Sequence, residues 1–181
     1  VDVVASGALS GRDVAILATD GDVSLAGVDA RDDLVVRASG TVTATGALRS
    51  GLVASDDGLG VGDALAQATL SGGDLDIAGE GVTVASLTAE GAGSDIRGDA
   101  GAGQFAVGQA RSVAGDLFLS GGSIAASGAL VGTDVVLRSS TGDITAAAIE
   151  ALDDIYIRAA GRLTVSGFMI TARNATGATS S

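Results

Sequence analysis

One line of about 20 residues, written over and over, constrains this chain more than anything else in it. The two clearest copies are consecutive, ALVGTDVVLRSSTGDITAAA (129–148) and IEALDDIYIRAAGRLTVSG (149–167). In each, Asp134 or Asp154 opens a short apolar run, VVL or IYI. A polar or glycine-bearing turn then leads to a second run, ITA or LTV. Self-similarity at a fixed period of roughly 20–50 residues marks a solenoid. One such line cannot bury its own apolar face and must stack on its neighbours.

The same line can be followed through the chain as 8–27, 28–46, 47–65, 66–86, 87–109, 110–128 and the two copies above. The copy at 47–65 (ALRSGLVASDDGLGVGDAL) is degenerate, with Gly51 where the others carry Asp. Residues 1–7 read as the end of a preceding coil. Residues 168–181 (FMITARNATGATSS) read as an incomplete coil with an Ala/Thr/Ser-rich tail. The chain opens on Val1 and its one Met is Met169, so a piece of a longer protein is expected.

Within each line apolar residues alternate with period two, as in strands that bury one face. The first strand points Val14/Ile16, Leu34/Val36, Leu75/Ile77, Leu117/Leu119, Val135/Leu137 and Ile155/Ile157 inward. Ala15, Val35, Asp76, Phe118, Val136 and Tyr156 point outward. The second strand buries Val23/Leu25, Val42, Leu59/Val61, Val82/Val84, Phe105/Val107, Ile124, Ile144 and Leu163/Val165. A third, weaker strand opens each line through Leu9, Val28, Leu70, Leu87, Leu130 and Ile149. Helical spacing fails throughout, and each interior Gly would cost a helix about 1 kcal/mol. The pattern predicts an all-β fold: a right-handed, single-stranded parallel β-helix of about eight rungs over 8–167, a rod of roughly 40 Å at about 4.8 Å per rung.

Composition supports this and excludes several functions. Aromatics make up 2% and Gly numbers 29, so the core must be built from small repeated aliphatics; 46% apolar content argues against disorder. There is no Pro to delete a ladder donor. The net charge of −12 opposes nucleic acid and anionic membranes. Without His, Cys or Lys, a Ser–His–Asp set, a thiol nucleophile and a Walker loop cannot form; GAGQFAVG (101–108) is not G-x-G-x-x-G. No run approaches the roughly 18 apolar residues of a membrane span.

Lines of the form A-L-x-G-x-D-V-x-L-x-A/S-x-x-G-D-I-T-A-x, from about residue 8 to 170, resemble the repeat shafts of filamentous-haemagglutinin-type exoproteins. The resemblance implies a large secreted or cell-surface bacterial adhesin, exported by an outer-membrane partner through two-partner secretion. That family's amino-terminal secretion domain has no counterpart in these residues, so export by that route is implied by the repeat alone. The expected role is a non-enzymatic β-helical shaft, a stiff spacer or interaction surface. Its expected contacts are further repeats or another subunit end to end, and a host-cell, bacterial-surface or glycan receptor. A self-assembling filament or surface-layer segment is one alternative, and a β-helical carbohydrate-active or carbohydrate-binding module the other.

The recurring Asp13, Asp33, Asp74, Asp95, Asp116, Asp134 and Asp154 should stack into a row. Turn capping explains such residues, with Arg37, Arg138 and Arg158, each four residues after an Asp, diluting the charge. Ca²⁺ is the competing explanation, with Asp134 and Asp154 as its candidate ligands. No other cofactor is expected. Sugar cleavage would draw on Glu80, Glu90, Asp95 and Asp99, a paired-carboxylate chemistry for which sugar-stacking aromatics are lacking. Ser24, Thr43, Thr83, Thr145 and Thr164 would need a flat, uninterrupted array to bind ice, and Gly60, Ala106 and Ala125 interrupt them. Asn174-Ala175-Thr176 matches a glycosylation sequon read as chance.

Overall fold

The computed structural model describes residues 1–52 and 73–171. Strands appear in the order β1 (Val3–Gly11), β2 (Val14–Ala18), β3 (Val23–Ala30), β4 (Leu34–Ala38), β5 (Thr41–Ser50), β6 (Leu75–Ala78), β7 (Gly81–Ala89) and β8 (Ile96–Asp99). They continue as β9 (Gln104–Ser112), β10 (Leu117–Gly121), β11 (Ser123–Gly132), β12 (Val135–Ser139), β13 (Ile144–Ala151), β14 (Ile155–Arg158), β15 (Leu163–Val165) and β16 (Met169–Thr171). Every pairing is parallel, and each strand meets the equivalent one of the next line: β2-β4-β6-β8-β10-β12-β14 in one sheet, β1-β3-β5-β7-β9-β11-β13-β15 in the other, with β16 beside β13. The protein is a parallel β-solenoid of about seven turns, each roughly 20 residues long.

The expected second and third strands of each line are one strand with a bend. In β3 the register slips between Leu25 and Val28, in β5 between Ala44 and Ala47, and in β11 between Ala126 and Ala129. Such bulges turn a strand without ending it. Small residues sit at this corner because the next rung's backbone presses on it. A Cβ on Gly27 would stand 3.1 Å from the Ala47 carbonyl oxygen. Only in the last rung do the two halves separate, as β15 and β16.

Between the two sheets runs a single core of Val, Leu, Ile and Ala columns, with Phe105 its one aromatic. The expected inward residues of the middle rungs are buried as read, from Val23 and Leu25 through Leu137 and Ile144. Phe105 fits because Gly98 faces it: a Cβ there would collide with the ring. One reading in the middle rungs and several in the end rungs need correction; in the first rung Val14, expected inward, is half-buried. Val35, expected outward, is buried at 2% exposure; the Arg37–Asp76 ion pair lies one rung-face away at 2.8 Å. Ile155, Ile157 and Val165 are half-buried and Leu163 is exposed, because the last described rung has a covered core on one side only.

The rung count also changes. β4 pairs directly with β6 (Leu34↔Leu75) and β5 with β7 (Val42↔Val82), so no rung lies between lines 28–46 and 66–86. The opening of line 47–65 is the end of β5, where Leu48 is buried in register with Leu87. Leu59, Val61, Gly60 and Leu70 fall outside the described residues. Gly51 (φ 68°) and Gly73 (φ 81°), on either side of that stretch, lie in contact, a Cβ on Gly73 standing 2.5 Å from the Gly51 Cα. A left-handed backbone without a side chain is what both positions require.

Candidate functional site

The row of Asp residues forms as expected, and its geometry says why Asp is needed. Asp33 donates its N–H to Asp13 Oδ1 (3.3 Å), Asp74 to Asp33 (2.9 Å) and Asp95 to Asp74 (2.7 Å). Asp116 donates to Asp95 (2.9 Å), Asp134 to Asp116 (3.1 Å) and Asp154 to Asp134 (3.0 Å). In the opposite sense, the residue after each Asp donates to the carbonyl of the next: Val14 to Asp33, Leu34 to Asp74, Leu75 to Asp95, Ile96 to Asp116, Leu117 to Asp134 and Val135 to Asp154. Consecutive Asp residues are thus clamped by two bonds. The carboxylate accepts an amide that the backbone, turning into the strand, would leave without a partner.

A second corner repeats the device. Asp22 donates its N–H to Asp2 Oδ1 (3.0 Å), Thr41 to Asp22 (2.7 Å) and Arg162 to Asp143 (2.7 Å). Sequence reasoning did not single out this partial row, although the G-D-V and G-D-I triplets at 21–23 and 142–144 are its signal.

Burial raises the proton affinity of two carboxylates in the row. Asp33, with Asp32 and Asp74 buried beside it, has its pKa lifted from 3.8 to about 6. Desolvation is the main cause. The Asp74 N–H opposes it, and repulsion from Asp32, Asp74 and Asp13 adds to it. Asp116 is shifted upward as well, again mainly by desolvation. The neutralising arginine is Arg97, at 3.2 Å from Asp74 Oδ2 and 2.6 Å from Asp95 Oδ2. Of the expected arginines, Arg37 bridges to Asp76, which lies outside the row, and the Arg138 guanidinium lies 5.5 Å from the centre of the Tyr156 ring. The reason is geometric. A spacing of four brings side chains together on a helix, but in a strand it separates them by about 13 Å, whereas Asp95 and Arg97 share a face.

Of the remaining candidates, Glu80 and Asp99 both lie at Gly101. Asp95 is held by Asp116 N–H and Arg97, while Asp99 Oδ1 accepts the Gly101 N–H (3.0 Å) and the Ser120 hydroxyl (3.1 Å). Glu80 and Glu90 are exposed, Glu80 lying over Gly101. Asp134 Oδ1 is engaged by Asp154, and among the described residues no three acidic side chains are grouped to hold a metal ion. The hydroxyl column Ser24–Thr43–Thr83–Ala106–Ala125–Thr145–Thr164 is in register and interrupted by its two alanines. Asn174 lies outside the described residues.

Among the concave features of the described residues, one is lined by charged side chains from several rungs. A groove of about 600 Å³ follows the corner after the seven-stranded sheet, lined by Asp99, Ser120, Arg138, Ser140, Arg158 and neighbouring backbone. Asp99, Ser120, Arg138 and Arg158 occupy one position in four successive rungs.

Fold and row together define a parallel β-solenoid braced by a carboxylate ladder. Comparison with protein-family models, curated proteins and solved structures gives no match.

Proposed function

We propose that this chain is a load-bearing, non-catalytic shaft: a segment of a large bacterial cell-surface or secreted adhesin, of the filamentous-haemagglutinin type its repeat resembles. The observation that carries this reading is the unbroken axial ladder. Sheet hydrogen bonds run along the solenoid axis through every rung, reinforced by the two-bond Asp clamp at one corner. A rod built this way resists extension and bending because each rung is tied to the next by backbone bonds on both sheets. Such a shaft holds a binding region away from the surface that anchors it, and its ends meet further rungs or another subunit.

The test is excision of one complete turn, residues 14–33, from the parent protein displayed on cells. Lines are interchangeable in a spacer. Attachment should therefore persist, and electron microscopy should show the projection shortened by about 5 Å per turn removed. Abolition of attachment by the excision, with the remaining turns still folded, would overturn the spacer reading.

A further inference from the structure

The seven-stranded sheet carries four arginines, Arg37, Arg97, Arg138 and Arg158. Arg37 is paired with Asp76, and Arg97 with Asp74 and Asp95. Arg138 and Arg158 are different. They sit in register on adjacent rungs, roughly 4.8 Å apart along the axis, and neither has an ion pair among the described residues. In a chain with 22 acidic and 10 basic residues, acidic partners are in excess, so two adjacent uncompensated guanidinium groups stand out. Like charges this close repel. The contact of Arg138 with the Tyr156 ring steadies that guanidinium without neutralising it.

Both arginines line the groove of about 600 Å³, within the size range of ligand sites. The rest of its wall is hydroxyl and carboxylate: Ser120, Ser140 and Asp99. From Asp99 to Arg158 the lining spans three rung spacings, about 14 Å. That length suits an extended chain better than a single small anion. Guanidinium forks bind carboxylates bidentately. Two cations alone do not match nucleic acid, with one charge per about 1.7 Å of duplex, whereas a uronate chain carries at most one carboxylate per sugar.

We propose that the Arg138–Arg158 groove binds an acidic glycan, with a uronate-type carboxylate between the two guanidinium groups and sugar hydroxyls on Ser140 and Asp99. The site stands independently of the shaft reading.

Tyr156 is the sole tyrosine in a chain without Trp and lies against Arg138, so its fluorescence reports on that wall of the groove. The full chain is titrated with an oligogalacturonate, its neutral methyl ester, inorganic phosphate and a single-stranded oligonucleotide, by fluorescence and calorimetry. The oligogalacturonate should bind, the ester at least tenfold more weakly, and added salt should weaken the interaction. R158Q and R138Q/R158Q should each lose tenfold or more in affinity with unchanged melting temperature. R158K, which keeps the charge and loses the fork, should fall between. Equal binding of the ester, displacement by phosphate or oligonucleotide at matching concentration, unchanged affinity in R158Q and R158K, or no binding of the oligogalacturonate would each overturn the proposal.

Discussion

Replacing Asp33 by Asn should stabilise this protein at neutral pH and not at pH 4. Asp33 is 2% exposed, and its pKa of about 6 stands roughly two units above the unfolded value of 3.8. The sign follows from proton counts. Between pH 4 and 6 the folded protein holds a proton on Asp33 that the unfolded chain has lost, so stability falls as pH rises through this window. Above it the folded state carries an ionised, desolvated carboxylate at a cost of about 3 kcal/mol, at 1.36 kcal/mol per unit. Asn keeps an oxygen at the place that accepts the Asp74 N–H while removing the charge that Asp32, Asp74 and Asp13 repel. Asp33→Asn should therefore gain about 1–3 kcal/mol at pH 7, several degrees in melting temperature for a chain of this size. That gain should shrink toward zero at pH 4. Thermal melts of both proteins by circular dichroism from pH 4 to 7.5 isolate the effect of Asp33 and the carboxylates coupled to it, since the distant ones cancel in the difference. A difference that does not vary with pH, or a variant less stable at pH 7 than at pH 4 relative to the parent, would refute the reasoning.

Other substitutions probe the core and the ladder. Gly98→Ala should destabilise by about 1–3 kcal/mol through collision with the Phe105 ring, and Phe105→Leu should recover part of that loss in urea unfolding. Asp95→Ala should cost about 1–3 kcal/mol by leaving the Asp116 N–H without its acceptor, and Asp95→Asn clearly less; equal losses would assign the effect to the Arg97 ion pair. Ser50 is fully buried and its hydroxyl has no hydrogen-bond partner among the described residues, so Ser50→Ala should be neutral or stabilising by up to about 1 kcal/mol in the same assay. Millimolar Ca²⁺ should leave the melting temperature unchanged within about 1 °C, whereas a chelator-reversible rise would make Asp134 and Asp154 ligands.

What the sequence made legible was whatever repeats with the rung. Period-two alternation located the core from Val23 to Ile149 because a stacked line can bury only one face, and the recurring Asp announced its own column. What stayed illegible depends on where lines meet. Line 47–65 has the length of a rung, yet β5 pairs directly with β7 and Gly51 lies against Gly73, and nothing local to the sequence encodes that contact. Arg37 and Arg138 were assigned to aspartates by a spacing that works only on a helix. The groove escaped notice because its lining comes as two or three residues from each of four rungs, about 20 residues apart in sequence, and its members differ chemically from line to line.

The carboxylate ladder also has a direction. Every Asp side chain in it reaches forward in sequence, to the amide of the rung that follows, and never back. A rung in place therefore offers a charged acceptor before its successor has formed, and the successor brings only a backbone N–H, which any residue but proline supplies. Assembly in chain order always finds the costlier half of the clamp waiting, whereas assembly from the other end would leave each new carboxylate to seek an amide already fixed in place. The row makes the solenoid a one-way zipper, suited to a chain whose amino-terminal end arrives first.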